Sequence, residues 1–400
     1  MLDVALILVS SATIILCSCN APSPISLSIT NILLSNGQKR RGIPGSIGTP
    51  AQNFAFMPQN FLNDTWAYNT SDPFCFNDTT STQCLTQRGG LYDPTASSSS
   101  EGSASDTFRE VATHIWFNNF ANDVLSVGNT SLDNFPIGMP GFDYGGFFDT
   151  QANIGLGMNS TILNALKAGG HIASRVYSYW WGIDSTSSTL AMDGQLVLGG
   201  YDQAKATGPN VTGQILPWTL ACPSGIYVTV TNMILGFPNG TTADMLWPST
   251  LSACLQPDFP TVISLRGNPY FDNFENLTGT NSVNNSHGIY WWAPVYEPSA
   301  VQVSGLPGDL TIKFDNEFAV NIPNDVLVVS DQYVGPSGAV ETNSSASLVL
   351  ISPDNNANAD NTPIIGMPFF SGAYLMVDLD ASTFTLWQAN ATEDSKIVAI

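Results

Sequence analysis

Few side chains in this 400-residue sequence stand at spacings that do chemistry unaided. The three histidines, His114, His171 and His287, are scattered, with no His-x-x-x-His or His-Glu pairing to hold zinc. No Gly-x-Ser-x-Gly elbow presents a nucleophilic serine, and Ser160 reads instead as a helix cap. Gly155-Leu-Gly157 has a nucleotide-like spacing but lacks the basic or acidic partners of such a site. Neither Cys75 with Cys84 nor Cys222 with Cys254 shows a Cys-x-x-Cys spacing, so disulfides are expected there and no metal or cofactor. Carboxylate chemistry remains. Two carboxylates a few ångströms apart can share one proton, one acting as base on water while the other protonates a carbonyl.

The elements that would position such groups are strands. Gly, Pro, Asn, Ser and Thr are abundant and long helical patterns are rare, which predicts a β-rich chain with many turns. The length suffices for two lobes with sizeable cores. Pro24 to Gln38 alternates as a strand, and Ile226 to Phe237 reads as a strand pair with a turn at Pro238-Asn-Gly240. Leu310–Phe314, Asp325–Val329 and Ser347–Ile351 are further expected strands. Ser160 caps an expected helix over Thr161–Lys167, with Gly169 at C′. Lys39-Arg-Arg41, the only basic cluster, is read as a solvated turn. Trp180-Trp181 and Trp291-Trp292 are read as half-buried strand residues, with a saccharide- or peptide-binding surface as the alternative.

Charge sets the environment. Thirty-two acidic residues against 11 basic ones leave a formal charge of -21, which argues against nucleic acid as a partner. It suits an acidic or extracellular setting, where protonation relieves self-repulsion. Leu2 to Cys19 has the length of a signal-peptide core, so residues 1–19 are expected to be cleaved, and no second apolar run near the C-terminus could anchor the chain. Removal of that segment leaves four cysteines with three pairings, of which proximity favours Cys75–Cys84 and Cys222–Cys254. Asn-x-Ser/Thr sequons stand at Asn63, Asn69, Asn77, Asn129, Asn159, Asn210, Asn239, Asn276, Asn284, Asn343 and Asn390, the pattern of a secreted glycoprotein.

Ile47-Gly-Thr-Pro-Ala-Gln52, a strand, and Trp66 then supply a frame. They resemble the opening of the pepsin-like aspartic peptidases of secreted, fungal type, where Ile-Gly-Thr-Pro-x-Gln leads to Asp-Thr-Gly-Ser-Ser and a Trp. Tyr92-Asp-Pro-Thr-Ala-Ser97 is similar to the family's Phe-Asp-Pro-Ser-x-Ser, and Ile154-Gly-Leu-Gly157 to its Ile-Leu-Gly-Leu-Gly. Gln195-Leu-Val-Leu-Gly-Gly-Tyr-Asp202 and Pro363 to Asp378 match two later family segments. The resemblance runs from Pro24 to Asn390. It implies an all-β, bilobal pepsin-like fold with pseudo-twofold symmetry and a few short helices, divided into an N-terminal lobe over 20–214 and a C-terminal lobe over 215–400.

Inside that frame the chemistry departs from the family. The ungapped match puts Gln59 at the first catalytic aspartate, with Asn60-Phe-Leu-Asn63 in place of Thr-Gly-Ser-Ser. In the second half Gln256 takes the corresponding position, followed by Pro257-Asp258; a register two residues on would place Asp258 there. The flap segment Asp106–Trp116 lacks the family's tyrosine and glycines. A glutamine amide exchanges no proton near working pH, though a Gln–Gln pair could hydrogen-bond across the pseudo-twofold. Asp64 and Asp258 are the nearest carboxylates that could restore catalysis; otherwise each is a surface or turn aspartate. A glycan on Asn63 would obstruct the cleft mouth. The expectation is a secreted, monomeric, proteolytically inactive homologue, extracellular or wall-associated, whose interlobe cleft holds a peptide, protein or glycan. The alternatives are an active aspartic-type endopeptidase working at acid pH and a structural wall glycoprotein.

Overall fold

Between Lys39 and Gln59 two strands are laid side by side. Lys39–Ile47 and Gln52–Gln59 pair antiparallel, with Ile43 opposite Phe56 and Ile47 opposite Gln52. The turn between them holds Gly48 at φ 88°, where a side chain would meet Ser97 and Asp123. From Phe54 to Gln59 every residue is buried, so the strand reads as a continuous run rather than an alternation. Parallel pairing with Asn153–Gly155 sets Gln59 opposite Gly155 and closes this edge of the sheet.

The computed structural model describes residues 21–71, 75, 80–102, 116–142, 151–184, 191–246, 248–279, 281–296, 308–315, 318–354 and 362–400. The expected signal segment, the sequon at Asn77 and the flap segment short of Trp116 lie outside them. Among the described residues, strands form a twelve-stranded sheet built mainly from the first half and an eight-stranded sheet built from the second. Helices are few and short: Ser81–Gln87, Thr161–Ala168, Asp272–Thr278 and Asn324–Leu327. The fold is all-β and bilobal, of pepsin-like type. The hairpin of Ala373–Asp378 and Thr383–Ala389 returns to the first sheet, where Leu375 pairs with Tyr179 and Trp387 with Asn210. No helix of the described residues is long and apolar enough to cross a membrane.

Several expected elements are refined by their surroundings. The Pro24–Gln38 alternation ends as a strand at Leu33, because Leu34–Gln38 closes a turn with Gly37 at φ 77°. Lys39-Arg-Arg41 is the start of a strand and not a solvated turn; Arg40 is buried. Asn324–Leu327 is a helical turn before the strand Val328–Val334, where a continuous strand was expected. Ser347–Ile351 divides at Leu350 between Val340–Val349 and Ile351–Asp354. Ser160 does cap the Thr161–Ala168 helix, accepting from Leu163 N–H at 3.2 Å, while Gly170 rather than Gly169 takes the left-handed C′ geometry. Trp180 and Trp181 are fully buried core; Trp292 is the partly exposed member of its pair and lies outside the strands. Both expected disulfides, Cys75–Cys84 and Cys222–Cys254, are formed.

Gly155 leaves no room for a side chain. A Cβ there would press on the backbone of Asp64 and come within 2.6 Å of Asn63 C and O. Gly155→Ala is therefore expected to cost about 3 kcal/mol or more, read as a lower denaturation midpoint. An unchanged midpoint would show that the loop over it can move aside.

Candidate functional site

Two loops of the same construction meet between the lobes. In the first, Gln59 ends its strand opposite Gly155, and Gly157 N–H donates to Leu62 O at 2.8 Å. In the second, Leu251–Leu255 pairs parallel with Ile364–Ile365, placing Leu255 opposite Ile365 and Gln256 next to Gly366. Met367 N–H donates to Phe259 O at 2.7 Å. Leu62 and Phe259 each lie three residues beyond their glutamine, but the donor stands two residues past Gly155 in the first loop and one past Gly366 in the second, so the closing bonds differ by one residue. Gly366 repeats the role of Gly155, since a Cβ would meet the carbonyl oxygens of Phe259 and Thr261.

The side chains do not follow that symmetry. Gln59 is fully buried; its Oε1 accepts from the Trp66 indole N–H at 3.2 Å, and its Nε2 donates to Asp258 Oδ2 at 3.1 Å. Because the indole can only donate, the amide oxygen must face Trp66 and the NH2 must face Asp258. Gln256 turns its amide back onto Cys254 Sγ at 3.7 Å, so the amide pair across the pseudo-twofold is not made. Asn60 Nδ2 donates across the interface to Leu255 O at 2.9 Å. Pro257, the matching residue of the other loop, has no donor to return that bond.

Asp258 is thus the carboxylate at the centre, while Asp64 is elsewhere. Asp64 is buried beside the first turn of the Thr161–Ala168 helix; burial raises its carboxyl to about 6, and a hydrogen bond with Thr161 opposes part of that rise. Asn63, expected at the cleft mouth, accepts Asn159 N–H at 2.7 Å on the same helix side. Among the described residues no cluster of His, Cys, Asp and Glu is arranged to hold a metal. His287 stacks on Trp291 at 4.9 Å. His114 lies outside the described residues.

Beside Asp258 a cavity of about 520 Å³ opens between the halves, lined by Arg40, Arg41, Asn153 and Trp181 on one side and Asp258 and Met367 on the other. Sequence reasoning missed this basic wall. Arg40 Nε donates to Gln151 Oε1 at 2.8 Å, and burial lowers the guanidinium to about 10, so it stays cationic. Arg41 donates to the carbonyls of Trp181 and Met192 at 2.8 and 3.1 Å and lies over the Trp181 ring. The signal was the phase of the strand, in which Arg40 precedes the buried Gly42 by two. Chemically, the centre offers one carboxylate, one neutral amide and a cationic wall.

The Asp64 environment has a pH signature. Between the ordinary carboxyl value and about 6, the folded protein holds a proton that the unfolded chain has released, so stability falls as pH rises through that window. Asp64→Asn is expected to remove this loss, narrowing the difference between about pH 4 and pH 7 by on the order of 1–3 kcal/mol. Parallel wild-type and variant profiles in denaturant would refute it.

Residues 43–220 match the family model described as eukaryotic aspartyl protease. The chain is also 24% identical over 360 residues to Candidapepsin of Candida tropicalis, a match covering 88% of this chain and 80% of that protein. With the bilobal fold and the paired loops, these matches support a pepsin-like aspartic peptidase domain.

Proposed function

We propose that this is a secreted, glycosylated pepsin-like protein, with lobes divided near Ile215, that holds a peptide segment in its interlobe cleft without hydrolysing it. One observation carries the reading: the buried centre pairs the Asp258 carboxylate with the Gln59 amide. Hydrolysis by a carboxylate pair needs one member to give up a proton and the other to take one. The Gln59 amide can donate a hydrogen bond but cannot exchange that proton near working pH. The strand pairings beside the two loops, Gln59 opposite Gly155 and Leu255 opposite Ile365, support Gln59 and Gln256 as the residues at the family's aspartate positions. The cleft geometry is kept by backbone contacts, which suits binding of an extended chain.

The active endopeptidase is the second reading, favoured by similarity to a protein named Candidapepsin and by the Asp258 carboxylate at the centre. The two separate on a denatured protein substrate between about pH 3 and 6, where carboxylate pairs work. We expect no cleavage by the wild type above that of Asp258→Asn at high protein concentration. Cleavage lost in Asp258→Asn and blocked by a transition-state peptide inhibitor would establish the endopeptidase.

Secretion makes a second prediction, set by burial. Asn129, Asn159, Asn210, Asn239, Asn276, Asn284, Asn343 and Asn390 are exposed, whereas Asn69 is buried. Enzymatic deglycosylation in heavy water followed by mass spectrometry is expected to mark exposed sequons and leave Asn69 unmodified. Labelling at Asn69, or none anywhere, would contradict the secreted glycoprotein reading.

A further inference from the structure

The chain carries only 11 Lys and Arg residues, yet Lys39, Arg40 and Arg41 all line the interlobe cavity beside Asp258. Their engagements differ. Arg41 is held by two carbonyls, by the Trp181 ring, and by Asp184 and Asp193 at 4.0 and 3.9 Å. Lys39 is exposed. Arg40 is buried, at 5% exposure, and is fixed through one nitrogen: Nε donates to Gln151 Oε1 at 2.8 Å. Gln151 cannot turn away, because its own NH2 donates to Arg41 O and Ala55 O at 3.0 and 2.8 Å.

That arrangement leaves the other end of the guanidinium toward the cavity. The described residues give its two terminal nitrogens no hydrogen bond and no ion pair. Asp184, the carboxylate whose charge acts on it, is committed to Arg41 and to the Tyr290 hydroxyl. Asn153 lines the same cavity at 1% exposure, and both its amide atoms lack a partner. A buried polar group without a partner is costly, and a buried cation more so. A planar guanidinium with two free nitrogens matches a carboxylate, which accepts through both oxygens.

We propose that Arg40, seconded by Asn153, is the specificity determinant of the cleft and receives a carboxylate of the bound peptide. The proposal rests on the reading of the cleft as a peptide-binding site. An acidic side chain and a free C-terminus supply the same group. Net protein charge of -21 would repel either, so only a local cation can select for it.

The test uses the full-length secreted protein and a library of capped hexapeptides with Glu, Gln or Lys fixed at each position in turn, plus the Gln set with a free C-terminus. Binding is read by fluorescence anisotropy. On the wild type, Glu at one position is expected to bind at least about tenfold tighter than Gln. Preference for the free C-terminus instead would identify that as the carboxylate source. Arg40→Met should erase the preference of Glu over Gln, and Arg40→Lys should keep part of it. The wild-type Glu and Gln comparison does not depend on either variant folding. Binding with equal affinity for all peptides would overturn the role of Arg40 and leave the peptide-binding cleft standing; no binding by any library member would overturn both.

Discussion

The indole N–H of Trp66 dictates the chemistry available at the centre of this molecule. It can only donate, so it claims the oxygen of the Gln59 amide. The amide nitrogen is then aimed at Asp258, which must accept. Three residues from two lobes are set in one direction by a single donor, and all of them are buried. Low dielectric strengthens each bond of such a chain and raises the cost of breaking it. The same polarity excludes a second arrangement in which Gln59 accepts from a protonated Asp258, because that would leave the indole facing an NH2.

Around this chain the frame is made of backbone. Gly155 and Gly366 let one strand pass under each loop at a distance that no side chain permits. Gly157 and Met367 close the loops through main-chain bonds. None of these contacts consults the side chain at the glutamine position. That separation explains how the loops can hold their shape while the groups at their tips differ. It also explains the asymmetry at the next residue: Asn60 reaches Leu255 O, whereas Pro257 has nothing to offer in return.

What could be read from residues alone divides along the same line. Ile47 to Gln52, Trp66, Ile154 to Gly157 and the C-terminal hairpin were legible because their roles are local: turn geometry, close approach and strand period. The backbone at Gln256 was set by local register, since Leu255 pairs with Ile365. Its orientation was not. Gln256 folds back on Cys254, and the side chain that faces Gln59 belongs to Asp258, two residues along a loop turned by Pro257. Such a choice is made by contacts from the other lobe, which no local pattern carries. Lys39-Arg-Arg41 failed for a related reason. Three consecutive cations look solvated, but long stems can lie along apolar surface while their heads find carbonyls and an amide.

Burial of polar groups is what links the centre to its surroundings. Gln59, Asn60, Asn153 and Arg40 are all almost inaccessible, and each carries a desolvation cost that an apolar core would avoid. For Gln59 the cost is offset by Trp66 and Asp258, and for one nitrogen of Arg40 by Gln151. Asn153 recovers nothing from its neighbours among the described residues. A fold under no demand beyond stability would fill such positions with apolar side chains of the same volume, at equal or lower cost. Polar groups left open toward one cavity are the ones that the proposed carboxylate would complete. The cationic wall beside Asp258 further distinguishes this cleft from one built only around a shared proton.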